Sequence, residues 1–573
     1  MRSFADRQSV GYIKSIPELL GVSALKMGDK TALVYFGREI SYATLYRQSR
    51  KTAFFIKHNS KSSDRIGIFM PNIPQFVFSY YGALITERIA VPINFISIAS
   101  DLKNKKISEI KITEEITAQL HDAKPRVILV SDSFYPILVQ AGINWKCAIV
   151  IASAGDWLPW WMRLFYPIKA KKMGIELADV PSGVFYFDKV ISPSMLLTNV
   201  PIDPNKVAQF QYTGGTTGIS KNAMLTHRNL VSNCFQIRKH FGNILEDKKE
   251  VVLGSLPLCH IYGLTVCLNM TLLSLAGKLI LVPKFEPGKV VKIIKKNKVT
   301  IFPGVSRMYE AIISSGLVGD KEIFKSLKLC FSGAGSIDRT VCHKFKELSG
   351  GIDIAEGYGL SEASPVVSAT LPEDISVPSF GPGFIGRPLP YTDVKICDAD
   401  GKELSSGLAG EITVRGPQIM AGYYNKPEET AKVLKDGWLK TGDVGYIDEG
   451  GFLHLTDRIK DMVKVLGENV YPSKLEEWFK KIPIVSEAVA VGLPDSKRGK
   501  ALVVVIVLNL DTKIENPLKH FRALLQGDFA LGSNYIPSDI QVVDSLEQFK
   551  NPIGKIYKRK IKEFLLEQNK IRT

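Results

Sequence analysis

The sequence predicts an α/β protein: a large N-terminal domain of doubly wound sheets that includes a small β subdomain, then a small α+β C-terminal domain. Three observations lead there. Short, fully apolar, β-rich runs alternate with longer stretches of helical spacing through most of the chain. Strands apolar on both faces need helices on both faces, the arrangement of parallel sheets. From about Val394 the texture changes to short alternating strands with glycine-rich turns, which reads as an antiparallel subdomain over about 390–457. After the charged stretch 456–464 a second α+β pattern begins, so we place the domains at 1–457 and 458–573.

In chain order, residues 42–58 have the three-to-four-residue apolar spacing of an amphipathic helix. Residues 127–131, 148–152 and 207–213 are β-rich runs of strand length, and a helix is expected over 229–240. Further strands are expected at 251–256, 279–282, 300–303 and 327–332. The stretch 251–277 contains no Asp, Glu, Lys or Arg, but Pro257, His260 and Asn269 interrupt it. These groups are costly in hydrocarbon and tolerated in a buried strand–loop–helix, which is the prediction. Residues 410–415 and 451–455 are strands of the β subdomain. Strands at 488–492 and 502–508 and a closing helix near 560–567 build the last domain.

Composition narrows the function classes. Of 573 residues, 45% are apolar and 23% charged, which excludes a mainly disordered or fibrous chain. Lys and Arg total 74 against 57 Asp and Glu, a net charge of +17 that favours anionic partners such as nucleotides, nucleic acid or acidic membrane. Seven scattered cysteines without C-x-x-C spacing fit neither a disulfide framework nor a zinc site, so a reduced, cytoplasmic protein is expected. The first residues lack the apolar core of a secretory leader.

The string Gln211-Tyr212-Thr213-Gly214-Gly215-Thr216-Thr217-Gly218-Ile219-Ser220-Lys221 follows a predicted strand and precedes a helix beginning near Thr226. Glycines let consecutive N–H groups converge on phosphate oxygens, threonine hydroxyls add neutral donors, and a lysine adds a point charge. No Gly-Lys-Ser/Thr ends it, so it is not a Walker A loop. The string resembles the phosphate-binding loop of the AMP-forming, acyl-adenylate-forming superfamily. Ala223-Met224-Leu225-Thr226-His227-Arg228-Asn229 is most similar to its long-chain fatty acid–CoA ligases. Ser220 and Asn222 depart from the usual proline and glycine; Asn tolerates positive φ.

Other motifs resemble the same family in order. In Glu356-Gly357-Tyr358-Gly359-Leu360-Ser361-Glu362, the resemblance implies adenine stacking on Tyr358, and Mg²⁺ held by Glu362 with Thr213 as a second contact. Gly333-Ala334-Gly335 resembles the small-residue wall beside adenine and the acyl group. Asp443, in Gly437-Trp438-Leu439-Lys440-Thr441-Gly442-Asp443, would take both ribose hydroxyls. In Asp457-Arg458-Ile459-Lys460-Asp461, Arg458 would contact ribose or phosphate, and Lys460 would be the pivot of a mobile C-terminal domain. Gly467, Glu468 and Asn469 resemble the loop lining the pantetheine channel, with Leu466 departing from the usual small hydroxyl residue. In Asn551-Pro552-Ile553-Gly554-Lys555-Ile556, Lys555 matches the catalytic lysine; by charge alone it is one of eight basic residues against two acidic in 550–573. His260 resembles the aromatic gate beside the acyl carbonyl; read without the family, it is equally a core histidine.

The resemblance implies ATP-dependent activation of a fatty acid through acyl-AMP and transfer to coenzyme A, with ATP, Mg²⁺ and coenzyme A required. A sister activity, loading an acyl-carrier protein, shares every motif. No nucleic-acid-binding signature accompanies the charge, so no nucleic acid partner is expected. Finally, Trp157, Trp160, Trp161, Leu164, Phe165 and Ile168 form one stripe at helical spacing beside Arg163, Lys169, Lys171 and Lys172. Such a stripe suits a helix packed on its own domain or one lying at a membrane surface.

Overall fold

The apolar runs become the strands of two large sheets in the computed structural model, which describes residues 14–98, 101–175, 183–190, 201–213, 221–316, 321–381, 383–465, 468–495, 499–509, 514–527, 533–550 and 556–572. The chain divides into two units. One comprises Met1–Phe380, Ile385–Asp393 and Val414–Leu439; the other comprises Gly381–Phe384, Val394–Thr413 and Lys440–Thr573.

In the first unit a nine-stranded sheet has the order Arg387–Pro388, Val366–Ala369, Ile354–Gly359, Leu329–Ser332, Ile301–Gly304, Val251–Gly254, Lys278–Leu281, Thr31–Tyr35, Arg38–Ser41. Pairing is parallel from Ile354–Gly359 through Thr31–Tyr35. An eight-stranded sheet runs Gly422–Tyr423, Lys221–Thr226, Val207–Thr213, Ile89–Pro92, Arg65–Phe69, Val127–Ser131, Ala148–Ala152, Val184–Tyr186, parallel from Val207–Thr213 onward.

Buried helices join the sheets. Pro74–Ile85 carries no charge and is buried nearly all round, as a helix enclosed on every side must be. From it, Tyr80 donates to Gln209 of the eight-stranded sheet at 3.1 Å, and Tyr81 to Asn269 of the helix Gly263–Ser274 at 3.1 Å. Asn72, just beyond Arg65–Phe69, donates to the carbonyls of Gly254 (3.0 Å) and Leu256 (2.7 Å) where the nine-stranded sheet ends. The uncharged 251–277 stretch is thus the expected strand–loop–helix. Its helix is wound with π-type hydrogen bonds and wholly buried.

The helix after the glycine-threonine string begins beside Thr226 as expected, but a strand that the sequence does not predict, Lys221–Thr226, lies between them, folding back antiparallel on Val207–Thr213. The helix then starts at His227, with the Thr226 hydroxyl accepting from Asn229 N–H and the Asn229 side chain accepting from Thr226 N–H. The aromatic stripe also shortens. Its helix is Trp160–Lys172, and Trp157 lies before it, half-buried with its ring edge-on to Phe78 at 5.0 Å. Pro159, which cannot continue a hydrogen-bonded turn, separates the two.

The second unit holds most of the sheet built from Asp393–Cys397, Gly410–Arg415, Trp438–Ile447 and Leu453–Arg458, with Asp393, Val414, Arg415, Trp438 and Leu439 counted in the first. It then forms a three-stranded sheet of Val485–Asp495, Gly499–Leu508 and Asp539–Val542. Alternate residues of Val485–Asp495 face opposite sides. Ala488 and Ala490 pack with Leu475, Phe479 and Phe521, whereas Val489 and Val491 pack with Ile561 and Leu565 of the helix Lys558–Arg572. Cover on both faces explains why 501–508 reads as an unbroken apolar run.

Candidate active site

In the first unit, the hairpin Val207–Thr213/Lys221–Thr226 ends with Thr213 opposite Lys221. Gly214, Gly215, Thr216, Thr217 and Gly218 lie outside the described residues. Lys221 Nζ is 2.6 Å from Glu429 Oε2 and 5.1 Å from the centre of the Tyr423 ring. Hydrogen bonds from Lys221 and Lys432 hold the Glu429 carboxyl down at about 2. Tyr423 OH donates to Glu362 Oε1 at 2.7 Å, and Met420 N–H donates to the Glu362 carbonyl at 2.8 Å. The turn Ser361–Ala363, carrying Ser361 and Glu362, packs on both strands of that hairpin. Glu362, distant in sequence, therefore shares one corner with Thr213 and Lys221.

His260 borders the same hairpin. Gln211 Nε2 donates to the Cys259 carbonyl at 3.2 Å, pinning the loop that carries His260. The imidazole is half-buried, with Nδ1 accepting from Tyr262 N–H at 3.3 Å. A Cβ on Gly333 would meet the Tyr262 ring at 3.2 Å, whereas one on Gly335 would meet nothing within 4 Å. Ala334 between them adopts φ 68°, so three small residues form a kinked, low wall after the strand Leu329–Ser332.

The next strand is built even more tightly. A Cβ on Gly357 would lie 2.2 Å from Phe331 Cζ, and one on Gly359 would lie 2.0 Å from the Pro365 carbonyl oxygen. Only glycine permits this approach. Tyr358, between them, is buried with 7% of its surface exposed. Burial pushes the Glu356 carboxyl up to about 7, a rise that the Arg339 guanidinium at 3.6 Å only partly offsets.

In the second unit, Asp443 and Arg458 are antiparallel partners, and Arg458 Nε lies 3.1 Å from the buried Asp443 carboxylate. Asp457 accepts from Ser473 N–H at 3.0 Å, tying this strand to the helix Pro472–Lys480. Asp461 and Met462 N–H both donate to the Arg458 carbonyl at 3.0 Å, a tight turn that leaves Lys460 exposed. Glu468 and Asn469 pair in register with Val465 and Lys464. Gly467 and Lys555 lie outside the described residues.

Residues 21–424 match the model of the AMP-binding enzyme family, and 474–555 match that of the AMP-binding enzyme C-terminal domain. The chain belongs to the AMP-binding enzyme family. It is 35% identical to a long-chain-fatty-acid–CoA ligase of Bacillus subtilis, over 98% of this chain and 96% of that one. It is 32% identical to the Escherichia coli O157:H7 protein of the same name, over 96% and 94%. Among solved structures it shares the fold of ATP-bound MatB from Rhodopseudomonas palustris, with TM-score 0.78, 25% identity, and coverage of 96% and 98%.

Reading this AMP-binding enzyme from its sequence missed Tyr423, Glu429 and Arg339. Tyr423 and Glu429 sit 61 and 208 residues from the partners they hold, so no local spacing signals them. Among the described residues no three His, Cys, Asp or Glu side chains gather as a metal cage. The turn-borne Glu362 carboxylate is a hard oxygen donor of the kind that suits Mg²⁺, which keeps several waters and shares its sites with phosphates. No described helix is long and apolar enough to cross a membrane.

Proposed function

We propose that the protein is a long-chain fatty acid–CoA ligase: it joins a fatty acid to ATP as acyl-AMP, releasing pyrophosphate, and passes the acyl group to coenzyme A. The observation that carries this is the corner where Thr213, Lys221 and Glu362 meet beside His260 and the glycine wall, in a chain similar along its length to ligases of that name. Adenylation crowds a carboxylate against a polyanion, so catalysis is positioning and charge stabilisation. Residues 213–218 and Lys221 grip the phosphates; to do so Lys221 must exchange Glu429 for a phosphate oxygen. Gly333, Ala334, Gly335, Glu356, Gly357, Tyr358, Gly359 and Ser361 line the nucleotide. Glu362 and Thr213 would hold Mg²⁺, which would supply positive charge to the phosphates.

Asp443 takes the ribose hydroxyls and Arg458 assists. His260 gates the acyl carbonyl, and the uncharged helix Gly263–Ser274 suits an apolar tunnel better than a site for an amino acid's ammonium. Lys555 bridges the attacking carboxylate and the α-phosphate. The functional domains divide at 457/458, and rotation about Lys460 replaces Lys555 with Gly467, Glu468 and Asn469 for the thiol step. The protein works in the cytoplasm and at a membrane surface reached through the Trp160–Ile168 part of the aromatic stripe. Pyrophosphate release across a series of carboxylic acids, with coenzyme A or acyl-carrier protein as acceptor, tests the assignment. Release with amino acids but not fatty acids would overturn it, and transfer to carrier protein alone would identify the sister activity.

A further inference from the structure

The turn that carries His260, between the strand Val251–Gly254 and the helix Gly263–Ser274, is largely buried. A buried turn needs partners for its backbone polar groups, and here two side-chain amides supply them. On one side stands Asn72, itself buried. Its Nδ2 donates to the Gly254 and Leu256 carbonyls at 3.0 and 2.7 Å, and its Oδ1 accepts from Leu258 N–H at 2.9 Å. On the other side Gln211 Nε2 donates to the Cys259 carbonyl at 3.2 Å. The next residue is His260. Gly263 closes the turn: a Cβ there would lie 2.4 Å from the Pro257 carbonyl oxygen, so the helix starts pressed against it.

A glutamine amide can face either way, and only its NH₂ end donates to a carbonyl. The direction of Gln211 is dictated from behind its sheet. Tyr81 OH donates to Asn269 Oδ1 at 3.1 Å, and Asn269 Nδ2 donates to Tyr80 OH at 3.2 Å. Tyr80 OH donates to Gln209 Oε1 at 3.1 Å, and Gln209 Nε2 donates to Gln211 Oε1 at 2.8 Å. Burial pushes both tyrosine hydroxyls up, so they stay protonated and able to donate. All five side chains are shut off from solvent, so a reversed amide would leave buried groups unpaired. Donation therefore runs one way along the chain and leaves Gln211 Nε2 for the carbonyl beside His260.

Gln211 also shares a strand with Thr213, so one strand carries both an edge of the phosphate corner and one arm of this clamp. We infer that Asn72 and Gln211 are positioning residues for His260, with Tyr80 setting the direction of Gln211. Together they hold the imidazole at a fixed place relative to the phosphate corner during adenylation. The inference rests on the ligase reading above, in which His260 gates the acyl carbonyl. Fastening of this kind has kinetic consequences because a displacement of about 1 Å at a reacting centre can cost ~10²-fold in rate. A polar network that served the core alone would affect melting and nothing else.

The test follows pyrophosphate release by the full-length protein, varying the fatty acid at saturating ATP and then the reverse. Wild type is compared with Asn72→Leu, Gln211→Met, Tyr80→Phe and His260→Ala, and with each of the first three combined with His260→Ala. Tyr80→Phe is the mildest, since it deletes one oxygen and leaves the turn's own partners in place. In Asn72→Leu and Gln211→Met, kcat/KM for the acid should fall at least ~10-fold while the KM for ATP stays put. Tyr80→Phe should move the same quantity in the same direction by roughly 3-fold. Combined with His260→Ala, none of the three should cost anything further, because the clamp acts through the imidazole. Lower melting with wild-type kinetics in all three variants, or losses that multiply with that of His260→Ala, overturns the inference. An impaired His260→Ala beside three unimpaired clamp variants refutes the clamp and leaves the gate standing. Wild-type acid kinetics in His260→Ala, or no release by wild type with any fatty acid, refutes the gate or the ligase reading itself and takes the clamp with it.

Discussion

Replacing Glu356 by glutamine measures what a buried carboxylate costs this fold. Burial raises its carboxyl from 4.5 to about 7, against the opposing pull of Arg339. Between those values the native protein keeps a proton that the unfolded chain has lost, so the contribution of Glu356 to stability falls as pH rises from about 4.5 to about 7. It is level on either side of that window. At 1.36 kcal/mol for each pH unit of the gap, the loss above pH 7 is about 3 kcal/mol, an order-of-magnitude figure. Glutamine has nearly the same shape and carries no charge at any pH. The variant should therefore match wild type near pH 4 and exceed its stability by up to about 3 kcal/mol near pH 8, a shift of several degrees in Tm. Melting both proteins across this range and taking the difference removes every other titrating group. A difference that does not grow with pH would refute the reasoning and mean that Arg339 fully compensates the ionised carboxylate.

The remaining predictions concern the proposed site. Tyr423→Phe removes the hydroxyl that orients Glu362; the Mg²⁺ needed for half-maximal adenylation should rise about 10-fold while the KM for the acid stays put, and an unchanged Mg²⁺ titration would separate Tyr423 from metal binding. Gly357→Ala places a methyl group 2.2 Å from Phe331 Cζ; it should cost about 1–3 kcal/mol in melting experiments and be relieved by Phe331→Leu, since the clash is with that ring. Lys555→Ala should lose adenylation by at least ~10²-fold yet spare thioester formation from preformed acyl-AMP, and equal loss in both steps would remove Lys555 from its assigned role.

Much of the fold was legible because apolar burial on both faces leaves a local mark. Val127–Ser131, Ala148–Ala152 and Val207–Thr213 begin and end where their β-rich runs do. The strand Lys221–Thr226 was hidden because its first residues, Lys221 and Asn222, are polar and read as a loop. Asn222 is nevertheless buried in the sheet, so only the hairpin pairing to Val207–Thr213 reveals the strand. The candidate site was legible where a contiguous string does the work, as in the glycines around Tyr358, each pressed against a neighbour that leaves no room for a Cβ.

By itself, the sequence determined the α/β class, the motifs of an AMP-binding enzyme and the existence of an amphipathic aromatic segment, because each is written in residues close together along the chain. Tertiary structure alone decided what those residues face. Helical spacing marks a stripe but cannot say whether protein or solvent covers it; the packing of Tyr166 and Ala170 inward leaves Trp160, Trp161, Leu164, Phe165 and Ile168 outward. Likewise, Lys221 with Glu429 and Glu362 with Tyr423 are pairs made by sheet pairing and by the return of a distant segment. Local chemistry proposes the partners, and long-range chain closure chooses among them.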